Sequence, residues 1–97
     1  MVKWAVKKPI KVATVRYTGD NLNEIIDFVG AENVDWYPSA EALYINTLEG
    51  KMIVLPDSVV IKGPKGEFYP CRGDIFNDTY NIFKLRNVYW HFLIIMI

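Results

Sequence analysis

Two glycine-bearing turns, each set between runs of β-type residues, constrain the middle of this chain more than any other feature. Residues 42–47 and 51–55 flank Leu48-Glu49-Gly50, and residues 59–62 and 67–71 flank Gly63-Pro64-Lys65-Gly66. Glycine permits the positive φ of a tight reversal, and proline presets the first central position of a turn. The expectation is two antiparallel hairpins in succession.

The flanking segments supply a helix and further strands. Residues 10–17 (IKVATVRY) are rich in β-branched side chains and end in Thr18-Gly19-Asp20, a strand followed by a turn. Asn21 with Glu24 three residues later has the form of a capping box. Leu22, Ile25, Ile26 and Val29 then recur at helical spacing until Gly30. Asn23, Glu24 and Asp27 occupy the other face, so this helix should cover one face of a sheet. Residues 31–40, with Trp36-Tyr37-Pro38 at their centre, read as a loop or a short irregular strand. Asp74 can cap a helical turn through residues 75–80, and residues 81–85 suit a closing strand. Residues 88–97 are almost wholly apolar, but only half of the roughly 20 residues that cross a bilayer. They read as a terminal strand, buried in the sheet or in a subunit interface. The resulting class is α+β: a small antiparallel, hairpin-rich sheet packed against one amphipathic helix, with a short second helical turn.

A chain of 97 residues suits one domain, and 52% hydrophobic content is enough for a core without staples. Eleven basic and eleven acidic residues balance. The basic ones gather early, with Lys3, Lys7, Lys8, Lys11 and Arg16 all preceding Asp20. A balanced chain lacks the broad positive field of a duplex-DNA binder, so no duplex nucleic acid is expected as partner. A lone cysteine, Cys71, fits a reducing compartment, and residues 1–11 carry charges where a signal peptide needs an apolar core. The expected location is the cytoplasm, with no membrane partner.

Catalytic and metal chemistry find few residues. The single histidine, His91, sits in the apolar tail between Trp90 and Phe92 and reads as a packed imidazole. One Cys and one His fall short of a zinc set, and no carboxylates cluster as an oxygen cage, so no metal or cofactor is expected. Cys71 and His91 have no evident orienting third residue for a thiol nucleophile. Two carboxylates from among Asp57, Glu67, Asp74 and Asp78 remain a conceivable acid–base pair. Arg72-Gly73-Asp74 spells an adhesion tripeptide, to which an intracellular chain gives no use.

The second hairpin is richer. Lys62-Gly63-Pro64-Lys65-Gly66 places backbone N–H groups and two ammonium charges where a phosphate would be held, although P-loop spacing is missing. Strand alternation puts Phe68 and Tyr69 on opposite faces, one in the core and one exposed. An exposed Tyr69 beside Lys62, Lys65 and Arg72 would combine a stacking plane with phosphate-binding cations.

The run 56–80, PDSVVIKGPKGEFYPCRGDIFNDTY, resembles the signature of a widespread, largely uncharacterised family of short phage and prophage proteins. Members show P-G-D-[YW], then I-K-G and K-G-E-F-Y-P-C, then D-I-F and T-Y. Here Ile61-Lys62-Gly63, Lys65-Gly66-Glu67-Phe68-Tyr69-Pro70-Cys71, Asp74-Ile75-Phe76 and Thr79-Tyr80 correspond. Lys7-Lys8-Pro9, Tyr17-Thr18-Gly19-Asp20-Asn21 and Thr47-Leu48-Glu49-Gly50 fit the same pattern, so the likeness spans most of residues 3–83. Pro56-Asp57-Ser58-Val59 departs from P-G-D-[YW], and the tail beyond residue 85 resembles nothing in the family. The expected organisation is one domain, 1–97, with a family-like core at 1–85 and an apolar extension at 86–97.

This resemblance implies a phage-encoded protein acting in the infected bacterial cell. With no catalytic set, it suggests an anti-defence protein that sequesters a signalling nucleotide, of cyclic oligonucleotide or cyclic ADP-ribose type, without cleaving it. Lys62, Lys65 and Arg72 would hold phosphates, with Arg16 contributing from the first strand. Tyr69, Trp36 and Tyr37 would stack on bases, in a pocket between subunits of a homo-oligomer. The alternatives are a protein-interaction module docking through residues 88–97, and a nucleotide-cleaving enzyme using paired carboxylates from among Asp57, Glu67 and Asp74.

Overall fold

The computed structural model describes residues 2, 3, 5, 10–85 and 88–93. Its elements run β1 (Ile10–Arg16), α1 (Leu22–Val29), β2 (Val34–Tyr37), β3 (Ala42–Thr47), β4 (Gly50–Val54), β5 (Val59–Lys62), β6 (Phe68–Cys71), α2 (Gly73–Thr79), β7 (Tyr80–Leu85) and β8 (Val88–Leu93). Strands order as β6-β5-β1-β8-β7 in one sheet and β2-β3-β4 in a second, with every pairing antiparallel. The architecture is α+β, and both expected hairpins form.

Local chemistry explains most boundaries. The β5–β6 turn closes with the Gly63 N–H donating to the Glu67 carbonyl at 2.7 Å and the Gly66 N–H to the Gly63 carbonyl at 3.0 Å. Gly66 sits at φ +83°, which ends the three-residue loop at low steric cost. Asn21 departs from the capping box. Its Oδ1 turns back to accept from the Thr18 N–H (2.8 Å) and hydroxyl (3.1 Å). Its Nδ2 donates to the Arg16 carbonyl (2.7 Å) and to Glu24 Oε1 (2.6 Å). The side chain thus braces the turn before α1 rather than capping the helix. Residues 34–37 form a true strand because Trp36 pairs opposite Leu43 and Val34 opposite Ile45, turning both inward. The second helix starts at Gly73, one residue before Asp74, with the Phe76 N–H donating to the Arg72 carbonyl at 2.8 Å.

Packing places a core on each face of the β1–β5–β6 region. On one face Val60 meets Tyr17, Ile25 and Val29 together with Leu43, Ile45 and Val54 of the three-stranded sheet. On the other, Val59 and Ile61 meet Val12 and Phe76 of α2. β5 is therefore buried on both sides, which is why its sequence reads as an unbroken apolar run instead of alternating. Burying Phe76 alone is worth about 1.5–3 kcal/mol. Residues 88–93 lie inside the sheet, between residues 10–12 of β1 and residues 80–85 of β7. The terminal-strand reading holds for that stretch; residues 94–97 lie outside the described residues.

β6 is an edge strand, and its ladder decides what that edge offers. Since Gly63 and Glu67 form a hydrogen-bonded pair, alternation makes Ile61–Tyr69 and Val59–Cys71 hydrogen-bonded as well. Phe68 and Pro70 then turn their backbone groups outward. Pro70 has no N–H to present there, which blunts the edge against strand addition.

Candidate functional site

The seven residues singled out from the sequence do not converge. Arg16 pairs with Val59 and Cys71 also pairs with Val59, so Arg16 and Arg72 fall at one end of β5. Lys62 and Lys65 lie at the turn end, three strand residues or about 10 Å away. Trp36 and Tyr37 sit on β2 of the other sheet, on opposite faces of it.

At the first end, both arginines have anionic partners within the chain. Arg16 Nη1 donates to the Asp57 carbonyl at 2.9 Å and to its carboxylate at 3.0 Å, and Nη2 donates to Asn77 Oδ1 at 2.9 Å. Its guanidinium lies 5.9 Å from the centre of the Phe76 ring. Arg72 Nη2 donates to Asp74 Oδ2 at 2.8 Å. A concavity of about 210 Å³ brings Asp57, Arg72 and Asp74 together, so two of the four candidate acid–base carboxylates share a space, each paired with an arginine. Glu67 is not among its lining residues.

At the turn end, the phosphate cradle is already filled. The Glu67 carboxylate accepts from the Lys65 N–H at 3.0 Å and folds over Gly63 so closely that a Cβ there would overlap it. An internal anion thus takes the place expected for a phosphate. Lys62 Nζ stands 5.9 Å from the Phe68 ring centre. Phe68 and Tyr69 do take opposite faces, but both are half-buried. Phe68 packs on the Val60 side, edge-on to Phe28 at 5.3 Å, and Tyr69 packs on the Phe76 side. The expected fully exposed tyrosine is absent here because α2 shelters that face.

A groove of about 370 Å³ runs between the β3–β4 hairpin and β6. Its apolar wall is Leu48, Met52, Phe68 and Pro70, with Tyr69 beside them and the carboxylates of Glu49 and Glu67 at hand. Leu48 is 81% exposed at the tip of the hairpin. A further concavity of about 260 Å³ continues the groove past Thr47 and Leu48 toward Gly66. No lysine, arginine or histidine is among the described residues that line either space. Leu48, Glu49 and Met52 escaped sequence reasoning, since the turn residues were accounted for by the turn. The available signal was a bulky apolar residue in a two-residue connection. Residues 47–49 with Met52 on one side, and residues 67–70 on the other, are the two walls.

On β2, Tyr37 faces out and meets Tyr44 edge-on at 5.6 Å, above an Asp35–Lys51 ion pair. The hydrogen bond from Lys51 to Asp35 raises the lysine pKa. Trp36 turns the other way and lines a concavity of about 330 Å³ with Tyr17, Asp20 and Glu41.

Among the described residues no group of three or more His, Cys, Asp and Glu side chains is placed to hold a metal ion, and no helix is long and apolar enough to cross a membrane. The fold defines a small α+β protein with several surface concavities. No family model, curated protein or solved structure matches the chain.

Proposed function

We propose that this protein is a non-catalytic binding module that seats an extended segment of a partner protein in the groove between the β3–β4 hairpin and β6. The observation that carries this reading is Leu48, largely exposed beside Phe68 and Pro70 in a groove lined by Glu49 and Glu67 and by no cation among the described residues. Covering Leu48, 81% exposed, would supply about 1.5–3 kcal/mol, and Met52, only 38% exposed, a smaller share. Two carboxylates repel phosphate and favour a lysine or arginine next to the partner's apolar residue. The resemblance to phage proteins makes a bacterial host protein the expected partner, bound and thereby inhibited.

Selection from a displayed peptide library with the folded chain tests this directly. Peptides joining Lys or Arg to a bulky apolar residue should be enriched, and Leu48→Asp should weaken them by at least about tenfold without changing the thermal midpoint. A selection that converges on no such pattern, or peptides that ignore Leu48→Asp, would overturn the reading.

One observation favours sequestration of a nucleotide instead. Lys62 stands over Phe68, with Lys65 in the adjoining turn, so a stacking plane and two cations occur close together in sequence and space. A thermal-shift panel of cyclic dinucleotides and cyclic ADP-ribose isomers separates the two, because a tight ligand of the native state raises its midpoint. A nucleotide that binds, is recovered intact on heating, and is lost in Lys62→Ala selects sequestration.

A further inference from the structure

The geometry points to a separate site for an organic cation, in the concavity where Tyr17, Asp20, Trp36 and Glu41 meet. These residues come from three segments: the turn after β1, strand β2, and the short 3₁₀ connection Pro38–Ala40 that ends at Glu41. Pairing sets each in place. The Tyr17 N–H donates to the Ser58 carbonyl at 2.8 Å, Trp36 pairs opposite Leu43, and Glu41, in a left-handed conformation, closes the 3₁₀ turn by donating its N–H to Pro38.

Among the described residues the polar side-chain groups facing this space have no hydrogen-bond or ion-pair partner. Tyr17 is 2% exposed, yet its hydroxyl makes no hydrogen bond among the described residues. No fully buried side-chain N or O atom lacks a partner there, so the hydroxyl is the part of Tyr17 that reaches the concavity. Asp20 and Glu41 line the same concavity as Tyr17; burial first, and then their charges, raise the Tyr17 pKa. Neither carboxylate has an ion pair or hydrogen bond among the described residues, and no basic side chain lines the space.

Two carboxylates, a phenol oxygen and an indole form a set that matches a weakly hydrated cation with apolar substituents. The charge is met by Asp20 and Glu41, and the carbon surface by the Trp36 ring and Pro56. A calcium ion would need six to eight oxygen ligands, more than this space offers. The ligand class is an alkylammonium, supplied either by a free amine or by the lysine side chain of a protein.

The test is NMR titration of the full chain with tetramethylammonium, putrescine and N-acetyl-lysine methylamide, following the Trp36 indole resonance against sodium chloride at equal ionic strength. Saturable shifts with the organic cations, weakened about tenfold or more by Asp20→Asn with Glu41→Gln, are expected. Both substitutions are of exposed residues and should leave the fold intact. Tighter binding of the two free cations than of the lysine derivative assigns a small-molecule ammonium, and tighter binding of the derivative assigns a protein lysine. Shifts that follow ionic strength alone, or that persist in the double variant, overturn the proposal. Leu48→Asp should leave the titration unchanged, which keeps this outcome independent of the groove.

Discussion

Arg16 grips both ends of one residue, donating through Nη1 to the backbone carbonyl of Asp57 at 2.9 Å and to its carboxylate at 3.0 Å. The same guanidinium reaches Asn77 at 2.9 Å, so the end of β1, the turn into β5 and helix α2 share one tether. Asp57 holds φ +74° at the third position of the Leu55–Ser58 turn, with Pro56 before it, as a type II turn requires. Here aspartate accepts a left-handed backbone and in return anchors Arg16.

Substitutions at Asp57 should separate the two effects. Asp57→Gly relieves the left-handed conformation but loses an exposed ion pair worth about 0.2–1 kcal/mol, so urea unfolding should move by no more than about 0.5 kcal/mol. Asp57→Ala keeps the strained φ and also loses the pair, and should unfold about 1–2 kcal/mol more easily than the glycine variant. Equal stabilities would show that the tether, not φ, governs this turn.

Two glycines should respond unequally to alanine. A Cβ at Gly73 would lie 2.3 Å from the Asp57 carbonyl oxygen, a backbone atom, and 2.9 Å from Arg16 Nη1. The turn or the helix has to move, at about 3 kcal/mol. At Gly63 the obstruction is the end of the Glu67 side chain, which can swing away. Gly63→Ala should cost less than about 1 kcal/mol and release the Lys65 N–H, visible as faster hydrogen exchange at that amide.

Cys71 should be a sluggish thiol. Burial, and secondarily the Asp74 carboxylate, raise its pKa. Alkylation by iodoacetamide near pH 8 should lag behind a free cysteine derivative and accelerate only above the ordinary thiol range. Asp74→Asn should recover part of the rate, the remainder reflecting burial. Because the folded pKa is the higher one, this thiol's contribution to stability is present below the unfolded pKa and is lost as pH rises through the folded value.

The elements were legible because their signals are local. Glycine and proline set the two turns, β-branched runs set the strands, and helical spacing of Leu22, Ile25, Ile26 and Val29 set α1. Where the reading went astray, tertiary partners overrode local rules. Asn21 bonds to Thr18 and Arg16 in preference to capping, and Tyr69 is half-buried because α2 packs over it.

By itself, then, the sequence determined the class of fold and the order of its strands and helices, through turn chemistry and periodicity that act within a few residues. The tertiary structure alone decided the sites. It set Lys62 and Arg72 at opposite ends of one ladder, filled the expected phosphate cradle with Glu67, and brought Leu48 across to Phe68 from another sheet. A strand's alternation says which residues share a face. What that face meets depends on how two sheets and two helices pack, and no local pattern encodes that meeting.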